Sequence, residues 1–159
     1  ATPLSKPFSE VENLTSKLET AMRDHPGHPR PRFMIQRITC VYRNPDDWRI
    51  PVNTALENRR VFEGLFQNKT EVINGFPQPI ELNDTDTDSD FSPEKIRDNM
   101  MFGTPEEVVE KLRQYEAVGV DIFCYNSTFG LPHDFEMQSL ELFATEVMPR
   151  FAQKSDRSL

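Results

Sequence analysis

Gly103-Thr-Pro-Glu-Glu-Val-Val-Glu-Lys-Leu-Arg-Gln-Tyr-Glu-Ala-Val-Gly-Val-Asp-Ile-Phe-Cys-Tyr-Asn126 decides the fold. Thr104 suits a helix N-cap, and Pro105 follows at the first helical position, where a missing N–H is no loss. Glu107, three residues after Thr104, completes a capping box. Val108, Leu112 and Tyr115 share one face, while Glu107 and Lys111 stand one turn apart on the other. Gly119 supplies the stop. Ile122 to Tyr125 is apolar at every position, which predicts a strand covered on both faces. A helix running into such a strand is one step of a parallel α/β protein.

Working outward, Ser9 and Glu12 predict a second capping box, and Val11, Leu14, Leu18 and Met22 a helical stripe to about Arg23. His25-Pro-Gly-His-Pro-Arg-Pro31 is a rigid loop. Phe33 to Tyr42 reads as a strand, diluted by Gln36 and Arg37. Asn44-Pro45-Asp46-Asp47 starts another helix, which Pro51 is expected to kink or restart before it continues to Phe66. Residues 68–92 are expected to form a mobile loop insertion: Asn74-Gly75 is a turn, and Pro77 and Pro79 weigh against regular structure. Within it, Asn83 to Asp90 is acidic with almost nothing to bury, which predicts a solvated, mobile loop. Ser92-Pro93-Glu94-Lys95 opens a short helix, Asn99 to Phe102 a brief strand, and Asp134 to Arg150 a final helix. The inner stripe of that last helix is Leu140, Phe143 and Val147, joined by Phe135, Met137 and Met148. Right-handed crossovers then give about three parallel strands with outer helices, two open edges and an uncovered inner face.

The whole chain, residues 1–159, reads as a single unit. It is too short for a complete (β/α)8 barrel of about 250 residues. Its hydrophobic share of 36% is below the usual ~45–50%, which predicts that part of its apolar surface packs against other chain. A start at Ala1 without Met is expected of a processed or excised chain. The net charge of -8 argues against nucleic acid and anionic membrane as partners. No apolar run suits a membrane span, and no signal peptide is visible. Cys40 and Cys124 fall in predicted buried strands without the short spacing of a metal motif, so both are read as reduced thiols of a cytoplasmic protein.

Several motifs fail on their chemistry. Asp84, Asp86, Asp88 and Asp90 alternate as at the start of an EF-hand loop, but Ser89 stands where the turn needs Gly and Lys95 where a bidentate Glu is needed. His25 and His28 flank Pro26-Gly27 with no third ligand nearby, and His133 sits at a helix start that disfavours its charged form. No Ser/His/Asp or Cys/His order emerges. Gly103-Thr104 opens a helix, as phosphate cradles do, yet lacks repeated glycines and is read as a plain helix start.

Gly103-Thr-Pro-Glu-Glu-Val, the short helix after it, Gly119-Val-Asp121 and the final Ser139-Leu-Glu-Leu-Phe-Ala-Thr-Glu-Val-Met-Pro-Arg-Phe151 resemble the C-terminal end of bacterial luciferase-like flavin monooxygenases. The resemblance is strong over residues 99–151 and looser over 33–82; the close at Met148-Pro149 and the tail to Leu159 are also similar to the end of the luciferase α chain. It implies an α/β fold that is the C-terminal portion of a (β/α)8 TIM barrel about twice this length, with this chain supplying strands six to eight. It further implies reduced flavin and oxygen acting on an organic substrate, with FMN or the deazaflavin F420 as cofactor and a separate flavin reductase as partner. The family's dominant active-site residues, including an early histidine and most of its phosphate contacts, lie in strands with no counterpart here. This chain alone is then expected to be inactive and to bind no flavin tightly.

In such a barrel the chemistry sits at the C-terminal ends of the strands. Tyr125-Asn-Ser-Thr-Phe-Gly130 follows a strand at that end and offers an amide, two hydroxyls and two aromatic rings. Tyr125, Asn126, Ser127, Thr128 and Phe129 are therefore substrate-rim candidates, with Arg43 from the end of the earlier strand. The plainer reading is a strand-to-helix loop of ordinary turn residues, with Asn44 a helix cap. Two functions remain open: the C-terminal segment of a flavin-dependent monooxygenase, or a non-catalytic α/β module completing a sheet or barrel with a partner chain. The partner is the missing N-terminal barrel part or a second copy.

Overall fold

The computed structural model describes residues 6–67, 70–78 and 92–152. Helix α1 spans Phe8–Asp24 and strand β1 Met34–Val41. A 3-10 turn, Pro45–Trp48, leads into helix α2, Arg49–Gln67. A hairpin follows, β2 Val72–Ile73 and β3 Phe76–Pro77. Then come α3 Pro93–Asn99, β4 Met101–Gly103, α4 Pro105–Ala117, β5 Ile122–Asn126 and α5 His133–Leu142. The last helix widens into a π turn, Phe143–Val147, and ends in a 3-10 turn, Met148–Arg150.

Local signals place most of these boundaries. Thr104 and Glu107 form the full capping box of α4, and Gly119 takes a left-handed φ of 93° after its end. The Asn44 side chain accepts from the Asp46 N–H, and the Ser92 side chain from the Lys95 N–H. Pro51 lies in the first turn of α2, where its missing N–H breaks no helical bond; the restart comes two residues earlier, where the 3-10 turn gives way to the α-helix.

Other boundaries differ from the sequence reading. The Ser9–Glu12 box does not form, because α1 begins at Phe8 with extended Pro7 as its N-cap and no capping side chain. Ser9 is thereby inside the first turn. The strand expected from Asn99 begins at Met101, since α3 runs through Asn99 and the Met100 N–H still bonds to the Ile96 carbonyl. Pro77 does enter a strand, at the outer end of a two-residue hairpin pair where its missing N–H is tolerated. The hairpin turn is Asn74-Gly75, both with positive φ, 50° and 84°. The acidic stretch 83–90 lies outside the described residues.

The sheet is parallel, three-stranded and ordered β4-β1-β5. β1 pairs with β5 from Met34↔Ile122 to Ile38↔Asn126, and with β4 from Thr39↔Met101 to Val41↔Gly103. The α/β class, three parallel strands and flanking helices match the expectation. Three consecutive barrel strands, however, would run β1-β4-β5, and here β1 is central. In a three-stranded sheet one strand alone has two neighbours, and the longest, β1, satisfies the most backbone groups there.

The two faces carry separate cores. Ile35 and Val41 of β1 and Met101 of β4 pack with Val11 of α1, Val108, Leu112 and Tyr115 of α4, and Leu142, Phe143 and Val147 of the last helix. On the other face, Cys40, Tyr42 and Phe102 pack with Val52 and Ala55 of α2, Ile96 of α3, and Phe129 and Leu131. This second core covers only the C-terminal half of its face. Towards the N-terminal end Met34 and Ile122 remain 43% and 38% exposed. β5 therefore corrects the expectation of a strand buried on both sides: every β5 residue keeps some exposure, because it is an edge strand whose inner side has no full covering layer among the described residues. Arg37, read as diluting β1, is fully buried; its Nη1 donates to the Lys6 carbonyl at 2.6 Å and its guanidinium lies over the Tyr115 ring.

Candidate functional site

At the C-terminal end of β5 the chain makes a tight polar turn. The Asn126 Oδ1 accepts from the Thr128 N–H at 3.0 Å and from its hydroxyl at 2.9 Å, and the Phe129 N–H donates to the Ser127 carbonyl at 2.9 Å. This turn drives Phe129 inward, where it is 4% exposed and stacks on Phe102 with ring centroids 5.6 Å apart. Asn126, Ser127 and Thr128 stay accessible above it.

The remaining two candidates lie elsewhere. Tyr125 faces the helix side of the sheet; its hydroxyl is 2.7 Å from the Ser139 Oγ and its ring meets Phe143 edge-on. Burial pushes the Tyr125 hydroxyl up to about 12, with the Ser139 hydrogen bond opposing. Arg43 is 67% exposed and turned to Glu146 of the last helix, Nη2 to Oε1 2.6 Å. The structure thus brings together Asn126, Ser127 and Thr128 over Phe129, and sets Tyr125 and Arg43 apart from them.

The start of α4 is closed by its own side chains. The Thr104 N–H donates to the Glu107 Oε2 at 2.7 Å, the Glu107 N–H donates to the Thr104 Oγ1 at 3.4 Å, and Arg97 Nη2 holds the other Glu107 oxygen at 3.0 Å. A Cβ at Gly103 would sit 2.8 Å from the Glu107 Cβ and 3.0 Å from its Oε2. Gly103 is there so that Glu107 can cap the helix, and the space a phosphate would need is filled. Arg97 also lies over the Trp48 ring, as does Arg49.

Three functional-looking groups escaped the sequence reading. The spacing pairs Lys111 with Glu107; in the structure its Nζ instead donates to the carbonyls of Arg97, Met100 and Phe102 at 2.8, 3.0 and 3.0 Å. Burial lowers its ammonium to about 8, with Asp98 and Glu107 opposing. The signal was present, since position 111 lies between Val108 and Tyr115 on the inner helical phase. Ser139 is fully buried and accepts from the Val41 N–H at 2.7 Å while sharing a hydrogen bond with the Tyr125 hydroxyl. Arg30 donates to Glu19, Asp121 and the Gly119 carbonyl, tying the loop before β1 to the start of β5. Burial pushes the Asp121 carboxyl up, but the Phe33 N–H and Arg30 outweigh it and hold the carboxyl below its ordinary value.

Both cysteines are free, and burial pushes the Cys40 thiol up to about 12. His25, His28 and His133 are exposed. Among the described residues no group of three or more His, Cys, Asp or Glu could hold a metal ion, and no helix is long and apolar enough to cross a membrane.

No family model and no solved structure matches the chain. A curated protein does: the oxygenase component of the flavin-dependent trigonelline monooxygenase of Acinetobacter baylyi is 30% identical over 157 residues. The match takes in 98% of this chain and 44% of that protein, so the chain spans less than half the length of the curated relative it matches. From end to end, then, this α/β chain is a relative of a flavin-dependent monooxygenase oxygenase component, as its C-terminal motifs imply.

Proposed function

We propose that the chain forms the C-terminal barrel segment of a luciferase-like flavin-dependent monooxygenase, in which reduced flavin and oxygen oxidise an organic substrate. The observation that carries this reading is similarity to an oxygenase component along nearly the whole chain. The half-covered sheet supports it, since a barrel segment needs its remaining strands. FMN is the proposed cofactor and the deazaflavin F420 the alternative. A separate reductase supplies the reduced cofactor, as the relative's description as an oxygenase component suggests. Two free thiols suit a cytoplasmic setting.

The described residues do not fit the flavin phosphate. The one helix start that opens on glycine is filled by Glu107. No catalytic step is therefore assigned to this segment. Its role is positioning: Asn126 and the hydroxyls of Ser127 and Thr128 face the substrate at the strand ends, above an apolar floor of Phe129 and Phe102. Burial raises the Tyr125 hydroxyl and the Cys40 thiol to about 12, so both are neutral at physiological pH.

The test supplies reduced FMN and trigonelline, the substrate in the relative's name, to this chain alone and then with a polypeptide matching the rest of that relative. Product is expected only from the pair. Turnover by this chain alone overturns the assignment. No turnover from the pair, with binding between the two parts, favours the second reading, a non-catalytic module completing a partner's sheet. The open edge of β5 is the observation behind that reading.

A further inference from the structure

Tyr42 follows the last residue of β1, and its N–H donates to the carbonyl of Gly103, the last residue of β4, at 3.1 Å. It sits where both strands end, which is where a barrel places its chemistry. The residue is 1% exposed, and its hydroxyl has no hydrogen-bond partner. Burial pushes that hydroxyl up to about 12, with Arg97 opposing, so it is a neutral O–H at physiological pH. Taking a hydroxyl out of water without a partner is unfavourable. A phenyl ring would fill the same core space without that cost, so the hydroxyl is a donor still lacking its acceptor.

Two cations stand close by. Arg97 gives one N–H to the Glu107 Oε1 at 3.0 Å and lies 5.5 Å from the centre of the Trp48 ring. A guanidinium has further N–H groups to offer. Arg49 lies 5.4 Å from the same ring and is exposed. Arg43 and Arg97 are paired with Glu146 and Glu107, whereas Arg49 makes no ion pair among the described residues, although Asp46 and Asp47 stand just ahead of it. Trp48 itself packs against the core that holds Tyr42, Phe102 and Phe129.

We infer that Tyr42, Arg97 and Arg49 form a subsite for the carboxylate of a planar organic acid, whose apolar body lies towards Phe102 and Phe129 beneath the Asn126–Thr128 turn. Two guanidiniums and an O–H are donors only towards such a group, and a carboxylate has the acceptor lone pairs to meet them. Entry is from the side of Arg97 and Glu107, whose side chains stay 33% and 42% exposed. A single negative charge suits the place better than a phosphate dianion, given Asp46, Asp47 and Glu107 around it and a net charge of -8. That this acid is a substrate rests on the monooxygenase reading; that it binds does not.

Trp48 is the chain's single tryptophan, so tryptophan emission reports on this cluster. The chain is titrated with benzoate, and with benzamide and inorganic phosphate as controls. A saturable change is expected with benzoate and none with phosphate, with benzamide and the Arg49→Gln variant each about tenfold weaker, as loss of a charge-assisted hydrogen bond implies. Tyr42→Phe is expected to bind benzoate several-fold more weakly while melting no lower than wild type, since its hydroxyl has no partner to lose in the free chain. A tyrosine of purely structural use would show the reverse. If Arg49→Gln fails to fold, the ratio of benzoate to benzamide binding decides. No saturable response to benzoate, an equal response to benzamide or phosphate (an adventitious ion only), or unchanged binding in either variant overturns the inference. The titration needs neither flavin nor a second polypeptide, so its failure is distinct from a failure of the monooxygenase reading, which turnover tests.

Discussion

One ammonium group, that of Lys111, holds three backbone carbonyls, at the end of α3 and in β4. Lys111→Met keeps much of the stem but leaves Arg97, Met100 and Phe102 without their donor. Hydrogen bonds to a charged group contribute about 1.5–3 kcal/mol, and a loss of about 2–3 kcal/mol is expected in urea denaturation. The pH dependence follows from the direction of the shift. Burial lowers the folded ammonium to about 8, below its ordinary 10.5. Between these values the unfolded chain binds more protons, so the stability contributed at this site rises with pH and is lost as pH falls through about 8. The advantage of wild type over Lys111→Met should therefore grow across that window; an advantage that shrinks would mean the carbonyls outweigh burial. Gly103 gives a steric counterpart. A methyl there meets the Glu107 Cβ at 2.8 Å, so Gly103→Ala is expected to destabilise more than Thr104→Ala, whose lost cap is worth about 1 kcal/mol. Equal melting temperatures for the two variants would contradict this.

Among elements, legibility followed how local the deciding interactions are. α4 was readable from Thr104, Pro105, Glu107 and Gly119, because each acts within a turn of itself. Asn44 and Ser92 were readable as caps for the same reason. Ser9 was not, because whether a cap forms depends on where Pro7 ends the extended chain. β5 misled differently: an apolar run says that a strand wants cover on both faces, but cover is supplied by neighbours the run does not encode. The candidate site was legible as a loop, and the sequence could not tell which of its side chains turn outward. Asn126 fixed Thr128 above, whereas strand alternation sent Tyr125 to the helix side. There Ser139 explains how β1 outlasts β5. Pairing stops at Ile38↔Asn126, and the Ser139 hydroxyl takes the Val41 N–H beyond it. Ser139→Ala leaves that buried N–H and the Tyr125 hydroxyl without this partner, which should destabilise by about 1–3 kcal/mol. In a double-mutant cycle with Tyr125→Phe the two losses should couple; simple additivity would show that the hydroxyls do not share a bond.

For the whole molecule, the distribution of charge decides what it can hold by itself. A flavin mononucleotide brings a phosphate, and a protein of this class would seat it on backbone N–H groups at a helix start or on cations. The helix starts here are already answered. Acidic residues occupy the first turn of α1 at Glu10, of α3 at Glu94, of α4 at Glu106 and Glu107, and of α5 at Asp134 and Glu136. The 3-10 turn ahead of α2 carries Asp46 and Asp47. Each carboxylate sits where the helix dipole would otherwise attract the phosphate. The arginines near the strand ends are partly engaged as well, Arg43 with Glu146 and Arg97 with Glu107. Against a net charge of -8, a dianion approaching this chain meets repulsion that physiological salt screens only beyond about 8 Å. Isolated chain titrated into FMN should therefore leave flavin fluorescence unchanged at micromolar concentration. Adding a polypeptide that matches the rest of the relative should create a saturable change. A saturable micromolar site on this chain alone would mean that its own residues hold the cofactor, and the positioning role assigned to Asn126, Ser127 and Thr128 would have to be replaced by a binding one.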